Sequence, residues 1–354
     1  MDNLDVIRYL AISEARRHAP RMLDPFFQPS SSLQDGDACE DSSPAIPPTR
    51  LPRLPQLCIY RDHDRRYRAI IQGSEGHDNV LRAPIVCNFL ETWVLPYVDP
   101  SADVKGVYPI ELHDSYTYLD KNCSDEEWEA RYSGALVFSK NAGHRHTIAL
   151  PDPYQMCSYS GILQTIDTVP FNTKKDAVFF AGTTTGSRNP LANARLQACA
   201  WALDKRPDFQ FFITQVAQMA AVDVDAAVPR FATDILRPWV PISEHFNYKY
   251  LFNIKGNTCC WSRLPMVMAS NSLLLNLAHA DITWYYPAMR AGQHFVDVPS
   301  IGHVEECVAR IRRNQHDVQR IVHNAKDFVR DFCGQVHAAV YTKQLLETLS
   351  ENKA

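Results

Sequence analysis

An α/β fold in two domains is the expectation for this chain, and three observations carry it. Short apolar runs of strand character alternate with helically patterned segments through most of its length. The 354 residues exceed what one ordinary hydrophobic core organises. Two of the strand-like runs end in glycine-containing loops that lead into helix starts, the arrangement of an open sheet whose ligand loops lie at the carboxyl ends of its strands.

Bulk properties narrow the classes. Hydrophobic residues at 45% and charged residues at 21% describe an ordinary globular protein. A net charge of -4 gives no whole-protein attraction to nucleic acid or anionic lipid, so the expected partner is small or a neutral glycan. No apolar run approaches the ~20 residues of a membrane helix, and the start MDNLDVIRYLAISEARRH is acidic where a secretory leader is basic. A cytoplasmic protein without a transmembrane segment is the expectation. The ten cysteines are dispersed without a CxxC pair and read as reduced, mostly buried thiols.

Residues 1–21 place Leu4, Ile7, Leu10, Ala11 and Ala15 near helical spacing and read as an amphipathic helix. Residues 22–56, rich in proline and with Ser30–Ser32, read as an extended arm. A first α/β domain is expected over 57–163, with strands at 57–60, 68–72, 107–112, 135–139 and 147–150 in a mainly parallel sheet, and helices at 79–97 and 124–132. A second is expected over 164–334. There, strand 176–181 leads into Gly182-Thr183-Thr184-Thr185-Gly186-Ser187-Arg188, and Asn189-Pro190 opens a helix. Strands at 209–214, 250–254 and 272–277 follow, with Lys255-Gly256-Asn257 as a turn and Ser262-Arg263 as a helix start. Val304, Cys307, Val308, Ile311 and then Val318, Ile321, Val322, Ala325, Phe328, Val329 form one face of two helices. A final helix, 335–354, is long enough to cross back to the first domain.

The chemistry concentrates in the two glycine loops. Glycines let backbone approach a phosphate, threonine hydroxyls donate to it, and Arg188, Arg195 and Arg263 lie at or just after helix starts, where N–H groups and guanidinium forks suit an anion. A plain glycine turn with solvated arginines is the alternative. No GxGxxG or GxxxxGK[ST] stands in the sequence. Asp223-Val224-Asp225 has the spacing of a metal-holding carboxylate pair but follows an alanine-rich segment and reads as a solvated face. His144 and His146 lack a completing ligand, and no metal is expected. The cluster Trp284-Tyr285-Tyr286 can stack on a base or sugar, but reads as core.

The ordered set H…KYLFNIKG from His245, SRLPMVMASNSLLL from Ser262 and DITWYYPAMRAGQHFVDVP from Asp281, preceded by the FFAGTTTG strand and loop, resembles glycosyltransferase family 90. The family includes protein O-glucosyltransferases and capsule or lipopolysaccharide glycosyl- and xylosyltransferases. The resemblance implies a GT-B architecture, two Rossmann-like domains facing across a cleft with the nucleotide sugar held by the second. It implies that Arg263 clamps the donor diphosphate, that Gly182, Thr183, Thr185 and Arg188 frame the donor, and that Tyr250, Gly256 and Ser262 have structural or donor-lining roles. Ala181 stands where many members have arginine.

Carried further, the resemblance implies an inverting, metal-independent transfer of glucose or xylose from UDP-glucose or UDP-xylose, forming a β-linkage on a glycan, lipopolysaccharide or protein-linked acceptor. The base is expected in VYPIELHDSYTYL, where Asp114 follows a strand; Glu111 and His113 are the neighbouring alternatives, and a turn-capping Asp114 is the structural one. The tail ENKA differs from KDEL, so a microbial, algal or viral enzyme is expected. Rival readings are an inactive nucleotide- or glycan-binding relative and a metal-dependent transferase using Asp223 and Asp225.

Overall fold

The computed structural model describes residues 8, 11–12, 54–73, 77–114, 132–143, 147–157 and 167–351. The helix and arm expected over 1–56, the helix at 124–132 and the pair His144 and His146 fall wholly or mostly outside them. The chain divides into two compact units. One comprises Met1–Ser158, Ile282–Tyr286 and Gly334–Ala354, and the other Tyr159–Asp281 and Pro287–Cys333.

In the first unit β1 (Gln56–Arg61), β2 (Tyr67–Gln72), β3 (Gly106–Glu111), β4 (Ala135–Val137) and β5 (Thr147–Ala149) form a sheet of order β2-β1-β3-β4-β5. Helix α1 (His77–Phe89) and the single turn α2 (Pro153–Met156) accompany it. Leu57, Ile59, Ile110, Leu136 and Ile148 are buried along the strands. The mainly parallel sheet expected here is instead mixed: β1 is antiparallel to both β2 and β3, and only β3-β4-β5 run parallel. The connection 62–66 is too short for a crossover, so β1 and β2 close as a hairpin. Asp62 holds that turn by accepting from Asp64 N and Arg66 N (3.0 and 2.9 Å) and from Arg68 Nε (2.8 Å).

The second unit is regular. Its strands β6 (Lys175–Thr183), β7 (Phe209–Gln215), β8 (Tyr248–Asn253), β9 (Leu273–Leu277) and β10 (Val296–Val298) are all parallel, in the order β10-β9-β8-β6-β7. Leu236 adds one parallel pairing to Ile213 on the free edge of β7. Counting that residue as a remnant strand gives the order 3-2-1-4-5-6 of a doubly wound Rossmann sheet, whose crevice opens where the order reverses. That point lies between the carboxyl ends of β6 and β8.

Around this sheet lie α3 (Ala194–Ala202), α4 (Ala221–Ala227), α5 (Ile242–His245), α6 (Arg263–Ala269), α7 (Val304–Arg313) and α8 (Gln315–Phe332). The faces of α7 and α8 foreseen from helical spacing are buried. The approach to β6 is held by an ion pair shielded from solvent: Lys174 Nζ donates to Asp167 Oδ2 (2.6 Å), which also accepts from Asn271 N (2.7 Å). The last helix, α9 (Gln335–Glu351), groups with the first unit, where Tyr341 Oη donates to the Ala149 carbonyl (2.9 Å). Trp284 and Tyr285 are buried, the indole donating to Gln155 Oε1 (2.7 Å). The described cysteines form no disulfide, and no helix among the described residues is long and apolar enough to cross a membrane.

Candidate functional site

Two loops meet at the β6/β8 switch point, joined by one side chain. Asn193 caps α3 by accepting from Arg195 N and Leu196 N (both 3.1 Å), while its amide donates to the carbonyls of Thr184 (2.8 Å) and Ser187 (3.0 Å). The cap therefore fixes the preceding loop as well as the helix. Arg195, two residues on, is buried. Its Nη1 donates to Thr183 O (3.0 Å) and Thr185 Oγ1 (2.7 Å), its Nε to Lys255 O (3.1 Å), and its Nη2 to Ile254 O (3.1 Å).

The glycines are required by this closeness. Gly186 has φ +123° and donates its N–H to Asn257 Oδ1 (3.0 Å), a conformation that L side chains rarely adopt. A Cβ on Gly256 would lie 2.7 Å from Thr185 Oγ1 and 3.0 Å from Arg195 Nη2. Thr184 points the other way, donating to Ala217 O (2.8 Å).

Arg263, the first residue of α6, enters the same crevice. Its Nη1 donates to Ala181 O (2.7 Å), and its guanidinium carbon lies 4.8 Å from the centroid of the Phe180 ring. Its Nε and Nη2 are buried and bond nothing among the described residues. Burial lowers its pKa to about 10, so it stays charged at neutral pH. A buried cation with two unmade hydrogen bonds is costly unless an anion completes it. Nearby, His245 packs edge-on against Phe179 (4.8 Å between ring centroids). Burial, with the Arg263 charge adding to it, pushes the imidazole down to about 3, so it is neutral.

Of the residues nominated from sequence, Gly182, Thr183, Thr185, Gly256 and Arg263 come together here; a Cβ on Gly182 would lie 3.3 Å from Arg263 Nη1. Ser262 precedes α6 without a capping hydrogen bond to it. Arg188 is exposed on the loop. Tyr250 is buried in the core beneath the site, its ring edge-on to Phe171. Arg195 was noted in the sequence only as a phosphate candidate, because an inward-turned arginine at a helix start looks the same there as a solvated one.

In the first unit the three base candidates lie at the end of β3 and just after it, Glu111 paired with His113 and Asp114 paired with Arg82. Glu111 is buried, and its Oε1 meets His113 Nδ1 at 2.5 Å and accepts from His113 N (2.9 Å). Asp114 Oδ1 accepts from Arg82 Nη2 (2.6 Å), and Arg82 Nη1 donates to Leu112 O (2.6 Å). At the end of β5, Asp152 caps α2 through Tyr154 N and Gln155 N (2.9 and 3.2 Å). Burial pushes its carboxyl up to about 7. Asp223 and Asp225 lie on α4, where residues two apart do not share a face, and Asp225 accepts from Ala232 N (3.2 Å). Among the described residues no group of three His, Cys, Asp or Glu is placed to hold a metal ion.

Two tests follow from this geometry. Gly256→Ala forces Thr185 or Arg195 to move, so it should weaken ligand binding in the crevice more than it lowers the melting temperature; unaltered affinity for a nucleotide ligand would mean that the loops adapt. Asp152 keeps its proton in the fold up to about pH 7, whereas the unfolded chain releases it near 3.8. Its contribution to stability is therefore full at low pH and is lost as pH rises toward 7. The melting-temperature gain of Asp152→Asn over the wild type should grow from about pH 4 to about pH 8. A constant difference would remove the burial effect.

Comparison with known proteins finds partial relatives. Human protein O-glucosyltransferase 1 is 24% identical over 113 residues, 32% of this chain and 29% of that protein. O-glucosyltransferase rumi of Drosophila pseudoobscura pseudoobscura is 26% identical over 112 residues, 31% of this chain and 27% of that protein. The matched stretch thus spans less than a third of these relatives. Among solved structures, sucrose-phosphate synthase from Thermosynechococcus elongatus superposes with a TM-score of 0.38 at 9% identity, covering 66% of this chain and 63% of that one. The profile described as glycosyl transferase family 90 matches residues 159–352, more than half of the chain; the chain belongs to this family.

Proposed function

We propose that this protein transfers glucose or xylose from a UDP-sugar to a hydroxyl of a glycan, lipopolysaccharide or protein-linked acceptor, with inversion to a β-linkage, in a GT-B arrangement. The observation that carries this reading is Arg263. Its two buried, unmatched nitrogens, Nε and Nη2, lie at the switch point of a Rossmann sheet beside two glycine loops, the place and chemistry for a diphosphate. The related proteins named as O-glucosyltransferases support glucose as the donor sugar.

In this reading Arg263 holds the diphosphate and takes up the charge that develops on the leaving UDP as the C1–O bond breaks. Loop 182–186, locked by Asn193 and Arg195, lets backbone approach the phosphates. Asp114 is the base: it accepts the acceptor hydroxyl proton as that oxygen bonds to C1, and Arg82 fixes the orientation of its carboxylate. The guanidinium does the charge balancing that a divalent ion does elsewhere, so transfer should persist in EDTA. The Arg82–Asp114 pair also supports a second reading, a UDP-binding relative without turnover, because Asp114 Oδ1 is already engaged by the Arg82 guanidinium.

UDP binding and UDP release from several donor sugars test the two together. Arg263→Ala removes charged hydrogen bonds worth ~1.5–3 kcal/mol, so the Kd for UDP should rise about ten- to a hundredfold; an unchanged Kd would place the diphosphate elsewhere. Asp114→Asn should lower kcat by about 10²–10⁴-fold while UDP affinity holds. Full activity in that variant would pass the role to His113 and Glu111, and tight UDP binding by an inert wild type would favour the second reading.

A further inference from the structure

Beyond the phosphate loops, the second unit displays an aromatic side chain that the donor site as described does not use. Leu236 pairs in parallel with Ile213, and Arg237 N donates to Ile213 O (2.9 Å). The chain then continues past the carboxyl end of β7 as Pro238-Trp239-Val240-Pro241. Trp239 is 75% exposed, whereas Trp284 and Tyr285, the aromatics that the sequence offered for stacking, are 2% and 0% exposed. An exposed indole offers a large flat apolar face with one N–H donor at its edge. The flanking prolines hold φ near its ring-locked value, as in Pro241 at -62°, so the segment has little freedom to lose when a ligand settles on it.

The position of this segment gives the indole a ligand. Its next turn is α5, which carries His245; the ring hydrogen-bonds to the Val240 backbone and feels the Arg263 charge. His245 is 4% exposed, and its Nδ1 has no partner among the described residues. A buried, unmatched imidazole nitrogen close in sequence to an exposed indole offers a nucleoside both things it needs, a flat apolar face and a polar partner for a hydroxyl. In a Rossmann sheet the diphosphate occupies the crevice between strands 1 and 4 while the attached ribose is held from the end of strand 2. Here that direction leads from Arg263 across β6 and β7 toward residues 237–241.

We propose that Trp239 is the stacking platform for the planar base of the donor nucleotide, with His245 as the polar group beside the nucleoside. The inference rests on the donor reading above and extends it from the diphosphate to the base. It separates the site into an anion end built by Arg263 and the glycine loops, and a base end built by a proline-braced loop.

Titration of the full-length protein with UDP and with inorganic pyrophosphate, read by tryptophan fluorescence and by calorimetry, tests it. UDP should change the fluorescence of the wild type, and Trp239→Phe should abolish most of that change while keeping most of the affinity. Trp239→Ala should weaken UDP by about tenfold, the scale of one base–aromatic stack, and leave pyrophosphate binding as it was. Equal UDP affinity in the wild type and Trp239→Ala overturns the stacking role while the donor reading stands. Parallel losses for UDP and pyrophosphate overturn it as well, since they make Trp239 a structural support. A wild type that binds no UDP refutes the donor reading, and the base platform with it.

Discussion

The second unit depends on one buried guanidinium. Arg195 spends its N–H groups on carbonyl and hydroxyl oxygens from the ends of both β6 and β8, so the two loops cannot move apart without leaving a charge unsatisfied in a dry place. Only a planar fork meets acceptors on two strands at once; a lysine ammonium would reach one or two of them. The glycines at 186 and 256 follow from this tie, because the loops it draws together leave no room for side chains between them. Arg195, which the protein satisfies internally, makes the frame, and Arg263, which it leaves incomplete, faces the ligand.

That division shapes the electrostatics of the crevice. Two guanidinium groups lie in one crevice, and the nearby imidazole that could add a third positive charge is held neutral by burial. Arg263 thus keeps positive charge that the described residues leave without a full set of hydrogen-bond partners. Binding an anion removes an existing penalty, so such a site favours diphosphate over neutral ligands through its own desolvation as much as through new contacts.

Much of the second unit was legible because its central strands are buried on both faces: FFAG, YLFNI and LLLNL are near-continuous apolar runs that a parallel sheet demands, while FQFFIT alternates as an edge strand does. The described strands of the first unit were legible but not their direction, since the hairpin at 62–66 is a matter of connection length rather than hydrophobic pattern. Glycine and arginine after a strand marked the loops around Gly182 and Gly256. They could not reveal that Arg195 turns inward, because its partners lie some sixty residues away in sequence. Tyr250 belongs to the same motif, yet its place in the strand aims it into the core. Asp114 and Arg82 pair across thirty-two residues, and no local pattern encodes that contact.

Leu236 is the last point to weigh. A full third strand would seal the outer edge of β7 with a ladder of hydrogen bonds; here one parallel pairing and one N–H···O bond do so. The chain between β7 and that pairing, 216–235, is held instead by Val224, Val228, Phe231 and Ile235, which are buried in the core of this unit, and by Ala217, which exchanges hydrogen bonds with Thr184 of the glycine loop. A change in this segment is therefore felt in loop 182–186 through Thr184 as well as in the core of the unit. A minimal edge strand thus makes this rim depend on side-chain packing and one threonine hydroxyl rather than on a ladder of backbone hydrogen bonds.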